Sequence, residues 1–261
     1  MFRKIKLFLK ILKRFKNPLI YFLDYFRLLK QKFVIYSLKN NLCFCVRAGT
    51  KDRNVVNEIA LYNLYTNNFS IKKEDIVVDV GAHIGIFSVY ASKLASKGQV
   101  YALEPVKENF RILSTNKNLN NSDNLKIFNK GLFNSSKELE ISLDTPNNTA
   151  KFTLYGKGKI TEKIRLESFD TFIKQNKLKK IDFLKMDCEG SEYEIFFNLS
   201  KNNLKKINKI VLEYHNLDSK KNYKELVLFF ERNNFKLVSH KRFGKLTGML
   251  YLANKKTINN F

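Results

Sequence analysis

Carboxylates stand at the ends of apolar runs in this chain, and their spacing suits the recognition of a nucleoside. Asp79 lies within the run Ile76–Val80, which ends in the turn Gly81-Ala82-His83-Ile84-Gly85 before a helix-compatible segment from Phe87 to Leu94. Such a strand, tight loop and helix start leaves free backbone N–H groups facing a ligand. Glu104 follows Tyr101-Ala102-Leu103 and stands 19 residues beyond Gly85. An acid at that strand tip is placed to accept hydrogen bonds from both hydroxyls of a ribose. The three-glycine fingerprint of dinucleotide sites is missing, and Asp79 would repel a pyrophosphate. It suits the ammonium end of S-adenosylmethionine instead, so the spacing favours that cofactor over NAD. A purely structural turn with a capping Asp explains the loop alone, but not the distal Glu104 in register with it.

A second constellation lies downstream. The apolar run Ile181–Met186 delivers Asp187-Cys188-Glu189-Gly190-Ser191-Glu192, three carboxylates within six residues. Lys185, two residues before Asp187, points to the same side of a strand, and a Lys185–Asp187 ion pair is expected because a lone buried lysine is costly. Another strand ends in Glu213-Tyr214-His215. Glu192 also fits the bland role of a first-turn helix acid favoured by the macrodipole.

These residues need a parallel sheet to bring them together. Ile76–Val80, Tyr101–Leu103, Leu125–Phe128, Ile181–Met186 and Lys209–Tyr214 read as its strands, with helices over Glu108–Asn118 and Tyr223–Asn233. Phe235–Ser239 and Met249–Ala253 form a terminal pair that adds an antiparallel edge strand. Glu138–Leu143, Ala150–Tyr155 and Ile164–Leu166 are short strand-like runs of a β insertion. Asp170 is expected to cap a helix over Thr171–Gln175, and Asn54–Thr66 to be a helix leading into the nucleoside unit. Residues 33–49 alternate as a hairpin around Asn40-Asn41. The fold class is α/β, mostly parallel with helices on both faces, and ligands then bind outside the carboxyl ends of the strands.

The glycine loop Val78–Gly85, the segment Ala102-Leu103-Glu104-Pro105 with Glu108-Asn109-Phe110, and the pattern Ile181–Glu192 resemble FkbM-type methyltransferases. So does Val46-Arg47-Ala48-Gly49-Thr50 with Asp52 and Glu58. The resemblance covers roughly residues 45–215 and implies a class I, Rossmann-like methyltransferase fold. His83 departs from the Asn more frequent there in that family. The implied reaction is methyl transfer from S-adenosylmethionine to a hydroxyl, as in natural-product and sugar O-methylation. Cofactor contacts are expected at Asp79, Gly81, His83, Gly85, Glu104 and Asp187, with Asn109 and Asn129 as lesser candidates. In-line displacement demands alignment and removal of the alcohol proton. Glu189 and His215 lead as bases, with Asp187 and Glu192 behind them. Alternatively, Asp187 with Glu213 or His215 holds Mg²⁺ against the substrate oxygen.

Composition sets limits. A chain of 261 residues with 44% hydrophobic content fits one α/β domain with modest extensions. Cys43, Cys45 and Cys188 make no C-x-x-C pair, and an odd count without a secretory signal reads as reduced thiols of a cytoplasmic protein. Only three histidines argue against a zinc site. Of the net +24, a net +10 falls in residues 1–40, read as a basic amphipathic extension to a domain over 41–261. Phe2, Ile5, Phe8, Leu9, Leu12 and Phe15 share a stripe beside Arg3, Lys6, Lys10 and Lys13. A second amphipathic helix is expected over Leu19–Gln31. These charges exclude a span, and fit either attachment to the inner face of an anionic membrane or a helix packed on the domain. Elsewhere the charge reads as a Lys/Asn bias. The acceptor is expected to be a small molecule, glycan or glycolipid. Two rivals are a nucleic-acid (RNA) methyltransferase, which this chain's acids after the fourth strand fit poorly, and a non-catalytic membrane-associated binding module.

Overall fold

The computed structural model of the chain describes residues 2–143, 152–153 and 160–258. In chain order its elements are α1 (Phe2–Arg14), α2 (Pro18–Tyr25), β1 (Phe33–Ser37), β2 (Cys43–Arg47), α3 (Asp52–Ala60) and β3 (Ile76–Val80). Next come α4 (Ile86–Leu94), β4 (Gln99–Leu103), α5 (Lys107–Leu119), β5 (Leu125–Phe128), β6 (Gly131–Phe133), β7 (Lys137–Leu143), β8 (Phe152–Thr153) and β9 (Ile160–Ser168). The remainder comprises α6 (Phe169–Gln175), β10 (Ile181–Met186), α7 (Glu192–Asn198), α8 (Lys201–Leu204), β11 (Ile207–His215), α9 (Tyr223–Arg232), β12 (Phe235–Arg242), β13 (Thr247–Asn254) and α10 (Lys255–Ile258).

The central sheet has seven strands in the order β12-β13-β11-β10-β3-β4-β5. Strands β11, β10, β3, β4 and β5 pair in parallel, while β13 runs antiparallel to both β11 and β12. The antiparallel strand therefore sits second from the edge, inserted between β11 and β12. This is the class I methyltransferase architecture. From β3 the chain builds outward through β4 and β5, then returns to β10 and β11 on the other side. The order reverses between β3 and β10, and a crevice opens there at the strands' carboxyl ends.

Alternation along each strand feeds two cores. Val77 and Phe183 join Val56, Phe87 and Leu113 on the face covered by α3, α4 and α5. Val78, Leu184 and Met186 join Phe172, Phe196 and Phe230 on the face covered by α6, α7 and α9. Burial on both faces is why β10 is apolar almost throughout. The β insertion is a separate sheet, β6-β9-β7-β8, with its own small core around Ile141 and Ile164. Strand β6 has no counterpart in the sequence reading, and Ile164–Leu166 is only the middle of the nine-residue β9. Of the run Ala150–Tyr155, Phe152–Thr153 is strand and the rest lies outside the described residues.

The border expected at residue 40 falls in the turn of the β1–β2 hairpin. Ile11, Phe15 and Tyr21 share the core that contains Val77 and Phe87, so the first forty residues dock on the domain. The hairpin's free edge meets α5 through two side chains. Asn116 accepts from Cys45 N at 2.7 Å and donates to Cys45 O at 3.1 Å, while Asn120 accepts from Cys43 N at 2.9 Å and donates to Cys43 O. These amides do the work of a third strand. Helix α2 stops at Tyr25, short of the expected Gln31, because Arg27 adopts a left-handed φ of 56°. Helix α3 starts at Asp52 and stops at Ala60, where Thr66 was expected, and Asn63 turns the chain at φ 48°. Ser168, not Asp170, caps α6 by accepting from Thr171 N, and Asp170 instead anchors Ser200 and Asn203. No helix among the described residues is long and apolar enough to cross a membrane.

Candidate active site

Glycines let the β3–α4 loop and the end of β10 touch. Gly81 has φ 76°, and a Cβ there would lie 1.8 Å from the Asp187 carbonyl oxygen. Asp187 N donates to Val80 O at 3.0 Å, tying the two strand ends together. Gly85 (φ 81°) precedes α4, where a side chain would strike Leu113. Between them His83 takes φ 53°, a conformation that Asn and His tolerate better than most residues. That backbone demand is one a histidine meets.

Glu104, at the end of β4, is 4% exposed. Its carboxylate accepts from His83 N at 2.8 Å, Val106 N at 2.9 Å and the Asn109 amide at 3.4 Å. Burial raises its pKa to about 7, against the opposing pull of these bonds. Asn129 donates to the backbone oxygens of Glu104 and Pro105, so it braces the strand end and does not line the cleft. Gly85 likewise acts behind the cleft wall.

Asp79 is fully buried and bonds the Ser88 hydroxyl, with Lys185 Nζ at 3.1 Å. Lys185 also donates to Gly81 O at 2.7 Å. Burial would pull this lysine's pKa down, yet Asp79 and Asp187 outweigh it and the pKa is raised. The ion pair expected with Asp187 is thus formed with Asp79, which lies directly across the β3–β10 register. Through Lys185, Asp79 also supports the glycine loop, and it stands behind the residues that line the cleft.

On the other side of the crevice, Glu189 has φ 52° and turns its carboxylate toward His215 Nε2 at 3.3 Å. His215 Nδ1 faces Glu192 at 3.2 Å. Glu192 is fully buried and also accepts from His215 N at 2.7 Å and Gly190 N at 2.8 Å. Both of its oxygens are engaged by these partners. With a carboxylate at each ring nitrogen, His215 is held as the imidazolium. Burial opposes the charge, but Glu192, Asp187 and Glu189 raise the pKa to about 9. A charged imidazole cannot take a proton.

The cleft between these halves is lined by Gly81, His83, Glu104, Asn109, Asp187, Glu189 and Glu213. Its roof is α3 with its lead-in, contributing Lys51, Asn54 and Glu58, with Tyr65 beyond. The roof contacts at Lys51 and Asn54 escaped the sequence reading; their signal was the short polar face ahead of the β3 run. Arg47 and Asp52 fix that helix through a buried pair at 2.8 and 2.9 Å. Arg47 Nη2 also lies 3.2 Å from His83 Nε2, and burial lowers the His83 pKa to about 4, leaving it neutral. Ligand atoms of Asp187, Glu213 and His215 lie within 4.8 Å of one another. Two carboxylates with an imidazole suit Mg²⁺ poorly, since it prefers an all-oxygen shell.

Residues 79–237 match the Methyltransferase FkbM domain family. Methyltransferase 1 of Beauveria bassiana is 22% identical over 183 residues, covering 62% of this chain and 72% of that protein. The AMB antimetabolite synthetase AmbE of Pseudomonas aeruginosa is 25% identical over 199 residues, which is 62% of this chain but only 9% of that much longer protein. Among solved structures, M. jannaschii TYW2 in complex with AdoMet aligns over 85% of each chain at 15% identity and a TM-score of 0.42. With the family motif, the sheet order and the glycine loop in agreement, the chain belongs to the FkbM family of S-adenosylmethionine-dependent methyltransferases.

Proposed function

We propose that the protein methylates a hydroxyl of a sugar, glycan or glycolipid, with Glu189 taking the alcohol proton. The alcohol oxygen attacks the methyl carbon, the carbon–sulfur bond breaks, neutral S-adenosylhomocysteine leaves, and the proton passes to the Glu189 carboxylate. Glu104 accepts the ribose hydroxyls, and the Gly81 and His83 loop closes on the methionine end. His215 stays charged and aligns Glu189, while Glu192 holds the ring. Asp187, tied to the end of β3 through Val80 O, lines the cleft and would offer its carboxylate to the cationic cofactor.

The acid-lined crevice carries this reading. Glu58, Asp187, Glu189 and Glu213 suit a cationic cofactor and a neutral polyol, and they repel a phosphodiester chain. That charge disfavours a nucleic-acid acceptor despite the basic composition. An intact cofactor wall beside a group able to accept a proton disfavours a non-catalytic binding module. The choice of a sugar rests on family analogy alone. Incubation with methyl-labelled S-adenosylmethionine tests the proposal. Label is expected in a glycan or glycolipid extract, in an alkali-stable ether. Label entering RNA or DNA, or no acceptor other than water, would overturn it.

A further inference from the structure

Helix α1 carries more apolar surface than its packing uses. Ile11 and Phe15, each 1% exposed, seal it to the domain. On the neighbouring sector Ile5, Phe8, Leu9 and Leu12 remain 39–57% exposed. Leu19 on α2, with Phe26 and Leu28 just after it, stays 64–69% exposed. The Phe8 ring stacks on Phe22 at 5.1 Å and joins the two helices into one surface. One face of α1 is thus docked and the adjacent face is left open.

The flank of that open face is cationic. Lys6, Lys10, Lys13, Arg14, Arg27, Lys30 and Lys32 are all exposed. Asp24 is the only acid in the first forty residues, and it is buried against Tyr36, Gly49 N and Arg53. No exposed carboxylate in that stretch offsets the cations. A second copy of this chain would bring the same charges against them, so self-association is disfavoured. A helix pair with an exposed apolar sector beside exposed Lys and Arg matches a lipid interface carrying anionic headgroups.

We propose that α1 and α2 form a platform that rests on an anionic bilayer surface. The platform adjoins the roof of the cleft: Asp24 holds Arg53 of α3 at 3.5 Å, and the Arg53 guanidinium lies over the Tyr25 ring at 4.9 Å. The next residue, Asn54, lines the cleft. An acceptor anchored in the same bilayer would present its headgroup at that rim, a corollary that rests on the proposed function, whereas the attachment itself does not.

Flotation of the full chain tests the platform, using phosphatidylcholine vesicles with and without phosphatidylglycerol. The protein should float with the anionic vesicles, stay down with pure phosphatidylcholine, and be released at 1 M salt, where screening shortens to about 3 Å. Lys6→Ala with Lys13→Ala should weaken partitioning roughly 25-fold, from about fivefold per charge. Leu9→Asp should abolish flotation, with thermal melting and S-adenosylmethionine binding unchanged as the check on folding. Wild-type protein that ignores anionic vesicles, or that binds an acidic protein surface instead, would overturn the proposal. So would variants that fold and float like the wild type. Because no acceptor enters the assay, failure here and failure of the methylation reading are separable.

Discussion

The two sides of the crevice hold their carboxylates in different ways. At the end of β4, Glu104 is held by backbone amides, His83 N and Val106 N, whose dipoles are fixed by the fold. Beyond the end of β10, Glu189 faces the titratable imidazole of His215, and Glu192 meets the same ring while also accepting from Gly190 N and His215 N. Fixed amides and a neighbouring amide side chain suit recognition of neutral hydroxyls, which needs geometry but no proton movement. A carboxylate paired with an imidazolium sits where a proton can be accepted and its charge compensated. One edge of one sheet thus supplies a binding half and a reactive half, and the difference is in what neutralises each acid.

Breaking the reactive half should have the largest effect. Glu189→Gln should lower turnover by about 10²–10⁴-fold, the usual worth of a positioned base. S-Adenosylmethionine affinity measured calorimetrically should be unchanged, because the proton moves only on the way to the transition state. Equal losses of affinity and turnover would merge the two halves. Next in size is the shared hinge between them. Lys185→Met leaves Asp79 buried without its cation and should cost about 3–5 kcal/mol in urea unfolding. Adding Asp79→Asn should restore much of that loss, since a fully buried pair is replaced as a unit.

A smaller effect sharpens the comparison. The His215 ring should remain protonated until the pH rises through about 9. Removing the carboxylate at Nδ1 with Glu192→Gln should lower that pKa, as followed by the ring resonances in an NMR titration. An unmoved titration would mean that Glu192 does not hold the charge. The smallest expected effect is none: EDTA should leave turnover unchanged, whereas loss restored by Mn²⁺ would make Asp187, Glu213 and His215 a metal centre.

The strand–loop–helix–strand unit beside the cleft was legible in the sequence because it is local. Asp79, Gly81, Gly85 and Glu104 lie within one strand–helix–strand unit, where spacing along the chain fixes spacing in space. The Lys185 partner was not legible, since the choice between Asp187 and Asp79 depends on the parallel register of β3 against β10. The contact of Glu192 with His215 was hidden for a similar reason, as the start of α7 meets the end of β11 across 23 residues of chain. Asn116 and Asn120 give no periodic signal, yet they fix the hairpin that brings Arg47 to Asp52. Helix ends were missed where left-handed residues, Arg27 and Asn63, stop helices that composition alone would continue. Apolar periodicity found α1, but only packing separates its docked face from its open one.

The central claim is that an amide-held Glu104 recognises the cofactor while the proton of the reaction is taken on the other side. Calorimetric titration of S-adenosylmethionine into wild type and Glu104→Gln between pH 6 and 8.5 tests it most directly. Burial raises the Glu104 pKa to about 7, so the acceptor form is lost as the pH falls below that value. Wild-type affinity should rise with pH to a plateau above about 7, with proton release on binding at the acid end. Glu104→Gln should bind about 1.5–3 kcal/mol more weakly at pH 8 and show no such rise. Equal affinities at pH 8, or the same pH dependence in both proteins, would contradict the account.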